Sequence, residues 1–362
     1  MRIGFDGRSL QSPAGGVRRY ASELLKALVR VNPSDTIVVF GTSAGATLPA
    51  AIQLRSVKRV VPTNLGWSLV DLPRVAKRES LDIFHAPAYT APLHGVHPLV
   101  LTIHDVSYER HPEWYPYRRD RLRRWFYRRS ATTADLIITD SEFSRREISA
   151  AYDLDPDQIK VVPLGVGAPF LRSTRHPPPP GVTEPYVLHV GDLHPRRNLR
   201  TLVRALARLQ SLPANRTMPM LVLAGVDRGE HAKLEEEARH AHLRIHFAGA
   251  VDDATLASLY AGAAAFAYPS RYEGFGLPLL EAMACGTPVL AARAGAIPEV
   301  IGDAGILVDP DDEAEMAAGI ARLIDDTVLA SRLREAGRRR TENYTWDRTA
   351  MQTMDAYRRL IR

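Results

Sequence analysis

Short apolar stretches alternate with longer amphipathic stretches along almost the whole chain. The first half contains apolar stretches such as Arg2–Phe5 and Leu99–Ile103, and Val17–Val31 has the periodicity of a helix. The second half repeats this alternation, for example with Tyr186–Val190 followed by Leu199–Leu209. Near-continuous apolar strands between helices are typical of parallel sheets covered on both faces. The pattern therefore predicts an α/β protein.

A run of prolines divides this pattern into two halves. The chain has 362 residues, which is enough for two domains of about 150 residues each. The segment His176–Gly181 favours an extended spacer, and a surface loop within one domain is the alternative. We predict a Rossmann-like N-terminal domain over 1–175 and a Rossmann-like C-terminal domain over 176–345. A final helix over 346–362 is expected to cross back to the first domain.

Composition and charge exclude several classes of protein. Hydrophobic residues make up 45% and charged residues 24%, as in a soluble enzyme, and no apolar stretch approaches the roughly 20 residues of a membrane span. The start of the sequence lacks an apolar leader, so we expect a cytoplasmic protein. Cys285 is the one cysteine, which excludes a disulfide framework and a zinc site of several thiolates. The net charge of +6 comes mostly from arginine, which suits phosphate groups or reflects codon bias.

The segment after the predicted strand Ala264–Tyr268 combines glycines, two glutamates and the start of a helix. Gly274 and Gly276 let backbone amides approach a ligand closely, and a helix start favours an anion such as a diphosphate. Glu273 and Glu281 lie eight positions apart, which in a helix is a rise of about 12 Å. Paired glycosidase carboxylates lie roughly 5–9.5 Å apart. We therefore expect Glu281 to hold ribose hydroxyls and Glu273 to hold sugar hydroxyls of one long ligand.

This segment resembles the E-x7-E signature of glycosyltransferase family 4, the large retaining group with the two-domain GT-B fold. Tyr186–Leu199 is similar to the family's phosphate-clamp strand and loop, and Phe247–Asp253 to its nucleobase loop. Pro13–Val17 is similar to the glycine loop of its N-terminal domain. The resemblance covers nearly the whole chain. It implies two Rossmann-like, doubly wound domains that face a central cleft.

The resemblance also implies a donor site. Arg196 and Arg197 match the family's basic pair that neutralises the donor diphosphate. Many members carry Lys at the position of Arg197, and the strand-end Arg of some members is Asp192 here. The donor-binding residues implied are Gly15, Gly16, Gly191, Arg196, Arg197, Val251, Glu273, Gly274, Phe275, Gly276, Leu277 and Glu281.

On the acceptor side, His104 and Asp105 follow the strand Leu99–Ile103. A histidine after a strand is more often structural than catalytic, but family members often place one near the sugar. The resemblance thus implies that His104 contacts the donor sugar or orients the acceptor, so that the catalytic set is His104, Arg196, Arg197 and Glu273. Asp105 either orients the imidazole or caps the next turn. His85, which also follows a strand, is a second acceptor-side candidate with Asp105.

The implied reaction moves a hexose from a nucleotide-diphosphate sugar to a hydroxyl acceptor with retention, without cofactor or metal. Acidic groups over 153–157 and 309–312 are typical of turns. The stretch His104–Glu113 is similar to mannosyltransferase members, which favours GDP-mannose as donor. A glycan, glycolipid or lipid-linked saccharide in polysaccharide biosynthesis is the expected acceptor. Two alternatives stay open: a nucleotide-sugar epimerase-like GT-B enzyme and a non-catalytic nucleotide-sugar-binding protein.

The segment Trp114–Arg129 is rich in arginine and aromatic residues. A basic amphipathic helix is typical of proteins that bind anionic membrane surfaces, which predicts peripheral association with the inner face of the membrane. Packing of Leu122, Trp125 and Phe126 on the sheet, with the arginines in solvent, is the favoured alternative. Nucleic-acid binding is disfavoured because no recognised module accompanies the charge.

Overall fold

The structure, a computed structural model, describes residues 1–12, 15–42, 48–61, 63–116, 118–171, 178–212 and 217–361. The chain forms two compact units. The N-terminal unit comprises Met1–Gly165 with Trp346–Arg362, and the C-terminal unit comprises Val166–Thr345. The predicted boundary between 175 and 176 lies outside the described residues. The C-terminal unit begins earlier, at Val166, because Val166 bridges to Thr345 and its amide donates to the Tyr344 carbonyl.

The N-terminal unit is built on a seven-stranded parallel sheet of order β3-β2-β1-β4-β5-β6-β7. Its strands are β1 (Arg2–Asp6), β2 (Thr36–Phe40), β3 (Gln53–Arg55), β4 (Ile83–Ala86), β5 (Leu99–Thr102), β6 (Leu136–Thr139) and β7 (Ile159–Val161). Every residue of the central strand β4 and of its neighbour β5 is buried. This burial on both faces explains the continuous apolar runs of the sequence.

Helices surround this sheet. They are α1 (Gly15–Val31), α2 (Asn64–Gly66), α3 (Leu72–Ala76), α4 (Ser107–Arg110), α5 (Arg121–Thr133), α6 (Glu142–Tyr152) and, from the end of the chain, α15 (Trp346–Ile361). Helix α15 packs on α1, where Arg30 forms an ion pair with Asp347. Thr349 also donates a hydrogen bond of 2.8 Å to the Pro163 carbonyl. The last helix is therefore part of the N-terminal unit.

Helix α5 corrects one expectation. Phe126 and Ser130 form its inward stripe, and the Ser130 hydroxyl accepts a hydrogen bond from the Ala91 amide. Leu122 and Trp125 are instead 61% and 51% exposed, so the proposed packing on the sheet holds for Phe126 alone among these three residues. Leu122 lies in the first turn of the helix, one turn before the inward stripe. Tyr117, within the same segment, lies outside the described residues.

The C-terminal unit contains a six-stranded parallel sheet of order β10-β9-β8-β11-β12-β13. Its strands are β8 (Tyr186–Val190), β9 (Met220–Ala224), β10 (Ile245–Gly249), β11 (Ala265–Tyr268), β12 (Val289–Ala292) and β13 (Gly305–Val308). Its helices are α7 (Ala168–Leu171), α8 (Leu199–Arg208), α9 (His231–His240), α10 (Asp253–Gly262), α11 (Leu277–Ala284), α12 (Ile297–Ile301), α13 (Glu313–Asp325) and α14 (Thr327–Thr341). Both units are Rossmann-like. No helix within the described residues is long and apolar enough to cross a membrane.

Two glycines bring the loops after β8 and β9 into backbone contact. Gly191 has a φ of +141°, and its amide donates a 2.9 Å hydrogen bond to the Ala224 carbonyl. A Cβ atom on Gly225 would lie 2.0 Å from the Gly191 carbonyl oxygen, which is closer than any real Cβ contact. Gly225 therefore fixes the path of the chain that leads from β8 to the predicted phosphate clamp.

We expect Gly225→Ala to destabilise the C-terminal unit by roughly 1–3 kcal/mol, because backbone atoms must move to accept the methyl group. Gly167→Ala is a matched control, since its Cβ would make ordinary contacts of 3.6 Å with Phe170. Urea unfolding followed by circular dichroism compares the two variants. Equal midpoints for Gly225→Ala and Gly167→Ala would show that the loop contact does not constrain the fold.

Candidate active site

Neighbouring strand ends in the C-terminal unit bring a guanidinium and a carboxylate together. Arg197 lies in a short 3-10 helix, Pro195–Arg197, after β8, and Glu273 lies in the loop after the adjacent β11. Arg197 Nη1 donates to the Glu273 carboxylate and, over 2.5 Å, to the Tyr268 hydroxyl. Both charged side chains are buried. The structure thus joins the clamp and the first glutamate of the E-x7-E segment in one cluster.

The turn that carries the two arginines is held from several sides. The His194 side chain caps it by accepting a hydrogen bond from the Arg196 amide, and Asn198 ends it with a φ of +58°. The Asn198 side chain donates to the Pro310 carbonyl over 2.6 Å. The Arg271 amide donates to the Arg196 carbonyl over 2.9 Å, which links this turn to the loop of Glu273. The position of Arg197 is therefore set by the backbone as well as by its ion pair.

Glu273 is positioned by the loop after β12. Gly295 has a φ of +59°, and a Cβ atom there would lie 2.7 Å from the Glu273 carbonyl oxygen. The Ala296 amide donates to that same oxygen over 3.0 Å. A glycine at 295 thus lets the β12 loop pass directly against the backbone of Glu273. The carboxylate is placed by three neighbouring strand ends, those of β8, β11 and β12.

Charge and burial distinguish the two arginines. Burial opposes the charged form of Arg197, but the Glu273 carboxylate and the Tyr268 hydroxyl raise the pKa of its guanidinium above the usual value. Its Nε atom is buried and has no hydrogen-bond partner among the described residues. Arg196 is only half-buried. Glu273 therefore offsets the charge of Arg197 inside the protein, whereas the Arg196 side chain remains partly accessible to solvent.

His189 on β8 packs beside this cluster. Burial, and then the charge of Arg197, lower the pKa of its imidazole to about 3. The ring is therefore neutral at neutral pH, and Nδ1–H donates to the Ala267 carbonyl over 3.0 Å. Its ring stacks on Tyr268 with centroids 5.7 Å apart. His189 carries no motif that marks it in the sequence, and it supports Tyr268 from inside the sheet.

Helix α11 begins beside Glu273. Gly276 precedes it with a φ of +107°, and no side chain among the described residues caps its first amides. Such a helix start favours an anion. Gly274 is buried, Leu277 is half-buried, and Phe275 packs edge-on against Tyr344 with centroids 6.0 Å apart.

Glu281 lies inside α11 and is buried. Its carboxylate accepts a 3.0 Å hydrogen bond from the Tyr260 hydroxyl of α10. Glu273 and Glu281 therefore contact different protein groups.

Val251, from the predicted nucleobase loop, is half-exposed between β10 and α10. Asp252 caps α10 there by accepting a hydrogen bond from the Thr255 amide over 2.8 Å.

In the N-terminal unit, His104 follows β5 and lies beside a carboxylate that no sequence motif indicates. His104 Nδ1 lies 2.8 Å from Oδ2 of Asp140, which follows the adjacent strand β6. The Ser144 hydroxyl donates to the His104 carbonyl over 2.9 Å. A polar residue directly after the apolar run 136–139 is the signal for Asp140, but using it requires knowledge that β5 and β6 are neighbours.

The other acceptor-side candidates lie in different surroundings. Of the two interpretations for Asp105, the structure shows the cap: its carboxylate accepts from the Ser107 amide over 2.9 Å and from the Ser107 hydroxyl over 2.7 Å. His85 is fully buried, and its ring nitrogens bind the Tyr357 hydroxyl at 2.6 Å and the Thr102 hydroxyl at 2.7 Å. Both nitrogens are thus occupied in packing α15 on the sheet, which leaves none for an acceptor.

Gly15 and Gly16 form the exposed start of α1, and no heavy atom within 4 Å would meet a Cβ at either position. Pro13 and Ala14 of the same motif lie outside the described residues.

The acidic turns cap helices: the Asp312 carboxylate accepts hydrogen bonds from the amides of Ala314 and Glu315. Within the described ranges, no group of three or more His, Cys, Asp or Glu residues is placed to hold a metal ion.

Comparisons with known proteins agree with this architecture. Residues 14–168 match the family described as Glycosyltransferase Family 4, and residues 173–340 match Glycosyl transferases group 1. The chain is 30% identical to O-antigen chain mannosyltransferase B of Escherichia coli over 99% of this chain and 100% of that protein. It is 33% identical to MMP alpha-(1->4)-mannosyltransferase of Mycolicibacterium hassiacum over 73% of this chain and 66% of that protein.

Among solved structures, sucrose-phosphate synthase from Thermosynechococcus elongatus is similar, with a TM-score of 0.80, 22% identity and 99% coverage of both chains. This likeness supports the GT-B fold expected from the sequence. The chain belongs to glycosyltransferase family 4 and is a glycosyltransferase.

The buried ion pair predicts an asymmetric response to substitution. Arg197→Met leaves the Glu273 carboxylate buried without its cation, which costs roughly 3–5 kcal/mol of unfolding free energy. The double variant Arg197→Met with Glu273→Gln should recover part of that loss, because no charge remains unpaired. Arg197→Lys is the charge-preserving control. Urea unfolding of these three variants and of Glu273→Gln alone measures the coupling, and additive losses in the double variant would contradict it.

Proposed function

We propose that this glycosyltransferase moves mannose from GDP-mannose to a hydroxyl of a glycan, glycolipid or lipid-linked saccharide, with retention at the anomeric carbon. The observation that carries this proposal is the similarity over the whole chain to a mannosyltransferase. Retention is proposed from the resemblance to family 4. The similarity to transferases disfavours an epimerase-like enzyme and a non-catalytic nucleotide-sugar-binding protein.

The C-terminal unit supplies groups suited to a leaving diphosphate. The charge of the diphosphate increases when the glycosidic bond breaks, so a cation and free amides help the transition state most. Arg196 and the positive end of α11, with its Leu277 amide, would supply this stabilisation, and Arg197 would be shared between the diphosphate and Glu273. Glu273 would hold sugar hydroxyls and Glu281 the ribose. These roles require no metal or cofactor.

In the proposed reaction, the bond between the anomeric carbon and the phosphate oxygen breaks while the acceptor oxygen attacks from the same face. The acceptor proton passes to the departing phosphate oxygen, which balances the charge. No enzyme nucleophile takes part. His104 would contact the sugar or the acceptor hydroxyl.

The exposed face of α5 supports a further proposal, peripheral association with an anionic membrane. Leu122 and Trp125 point apolar surface to solvent beside Arg121, Arg128 and Arg129, which are also exposed. Arginines attract anionic headgroups, and leucine and tryptophan side chains enter the interface between headgroups and acyl chains. Such an association would bring the enzyme to a lipid-linked acceptor.

A panel of nucleotide sugars tests the donor. We expect GDP and GDP-mannose to raise the melting temperature more than the UDP and ADP counterparts, and NMR of the product to show an α-mannoside. Stabilisation by UDP-glucose alone would reject GDP-mannose as the donor.

Arg196→Ala should lower the turnover number roughly 100-fold, since one preorganised donor contributes about 2.7–4 kcal/mol. Normal turnover in folded Arg196→Ala, with a raised Michaelis constant, would reject the charge-stabilising role.

Sedimentation with liposomes tests the membrane proposal. The wild type should bind vesicles with anionic lipid at low salt and less at high salt, where screening is stronger. Leu122→Ser with Trp125→Ser should weaken binding. Val328→Ser with Met351→Ser is the matched control, because these side chains are 79% and 51% exposed on other helices. Equal binding by both double variants, or none by the wild type, would reject α5 as the membrane-binding surface.

A further inference from the structure

We propose that Asp140 is a positioning residue for glycosyl transfer: its carboxylate fixes the ring of His104 and keeps the ring hydrogen on Nδ1, so that Nε2 is the nitrogen left for the substrate. The proposal rests on the proposed function, in which His104 contacts sugar or acceptor. The proposal adds Asp140 to that site. Neither the sequence motifs nor the family resemblance indicated this residue.

The backbone around both partners is fixed before any ligand binds. Strands β5 and β6 are hydrogen-bonded neighbours with Thr102 opposite Ile138. The Thr139 hydroxyl donates to the Ile103 carbonyl over 2.7 Å, one residue before each partner. Together with the hydrogen bond from Ser144 to the His104 carbonyl, these contacts leave the imidazole and the carboxylate little freedom to separate.

The polar atoms that remain unused indicate a role beyond stability. Asp140 is 2% exposed, and its Oδ1 has no hydrogen-bond partner among the described residues. His104 Nε2 is also buried; the Pro87 carbonyl faces the ring, but Nε2 forms no hydrogen bond of normal geometry with the described residues. Buried polar groups are usually satisfied, since leaving one unpaired costs about 1–3 kcal/mol. A pair that leaves one atom unsatisfied on each side is better explained by a ligand than by folding.

Asp140 also controls what Nε2 can do. Burial raises the pKa of the Asp140 carboxyl, and the charge of His104 opposes this rise. While Asp140 is ionised, Nδ1 keeps its hydrogen, so Nε2 accepts a hydrogen bond when the ring is neutral and donates one when the ring is protonated. Burial opposes the charged ring, but Asp140 raises the pKa of His104 above its usual value, with smaller contributions from Asp105 and the Pro87 carbonyl. The other groups that face the ring are Tyr20 of α1, with centroids 4.7 Å apart, Tyr89 at 6.0 Å, and His85 of β4, which is neutral. A raised pKa favours the protonated ring, whose Nε2–H would donate to a sugar, phosphate or hydroxyl oxygen.

The same two strands carry a matched pair at their other ends. His97 Nδ1 lies 2.8 Å from Asp135 Oδ2, the distance found for His104 and Asp140. This second pair is 52% and 38% exposed, and Asp135 Oδ2 also accepts from the Leu99 amide over 2.7 Å. The Asp135 carboxylate thus accepts a hydrogen bond from the backbone and is also partly exposed to solvent. Asp135→Asn therefore changes a similar histidine–carboxylate contact without touching His104.

The experiment compares Asp140→Asn with Asp135→Asn. Nitrogen-15 NMR of the histidine rings, with His104→Gln to assign the signal, reports the tautomer and the pKa of His104 without any substrate. We expect Asp140→Asn to lower that pKa and to mix the two neutral tautomers, and Asp135→Asn to change neither. Steady-state kinetics across pH should show turnover falling about tenfold or more in Asp140→Asn, as for other partners that orient a histidine. The loss of activity with rising pH should begin at a lower pH than in the wild type.

Each outcome has a defined meaning. An unchanged tautomer and pKa in folded Asp140→Asn would overturn the proposal, as would a fall in turnover with no shift of the pH profile. Asp140→Glu, which keeps the charge, should restore part of the pH profile if positioning is the role. The NMR result is independent of the donor, so a changed His104 signal with no mannosyl transfer would reject the proposed donor and leave the pairing intact.

Discussion

The requirement that a buried guanidinium be paired organises the C-terminal unit. Arg197 lies where water cannot solvate its charge, so a carboxylate and hydrogen-bond acceptors must be nearby. Glu273 and Tyr268 meet that requirement, and the glycines at 191 and 295 let the neighbouring backbone come close enough to hold both partners. The loops after three adjacent strands are thereby tied to one charge. The loop that carries Glu273 also leads through Gly276 into the start of α11.

The two units use one structural principle with different chemistry. In each, adjacent parallel strands end at the same edge of a sheet, and the residues that follow them form a pair of opposite ionisable groups. The C-terminal unit pairs a guanidinium with a carboxylate, which suits a diphosphate, while the N-terminal unit pairs an imidazole with a carboxylate, which suits a hydroxyl. The carboxylate raises the pKa of the imidazole, whereas the guanidinium keeps its charge throughout.

The sequence pattern was sufficient for the alternating strands and helices, for the Rossmann-like character of both units, and for the family. These features depend on local periodicity and on motifs within single segments. The partner of His104 was missed because Asp140 lies 36 positions away and meets it only through the strand order. His85 was assigned to the acceptor because sequence cannot show that Tyr357, near the other end of the chain, occupies its Nδ1. For the same reason, the difference between Arg196 and Arg197 depends on tertiary contacts.

The pairing of Arg197 with Glu273 has a consequence for the order of events at the site. An anion that approaches Arg197 meets a guanidinium whose charge is already offset, so the gain from ground-state binding is small. In the proposed reaction, charge develops on a departing diphosphate, and the same guanidinium would share with it the donors that Glu273 and Tyr268 leave unused. The attraction then increases as the bond breaks, which is the condition for lowering a barrier rather than only tightening binding. Under the proposed function, the ion pair would keep the cation in place before the donor arrives and leave part of its hydrogen-bonding capacity for the transition state.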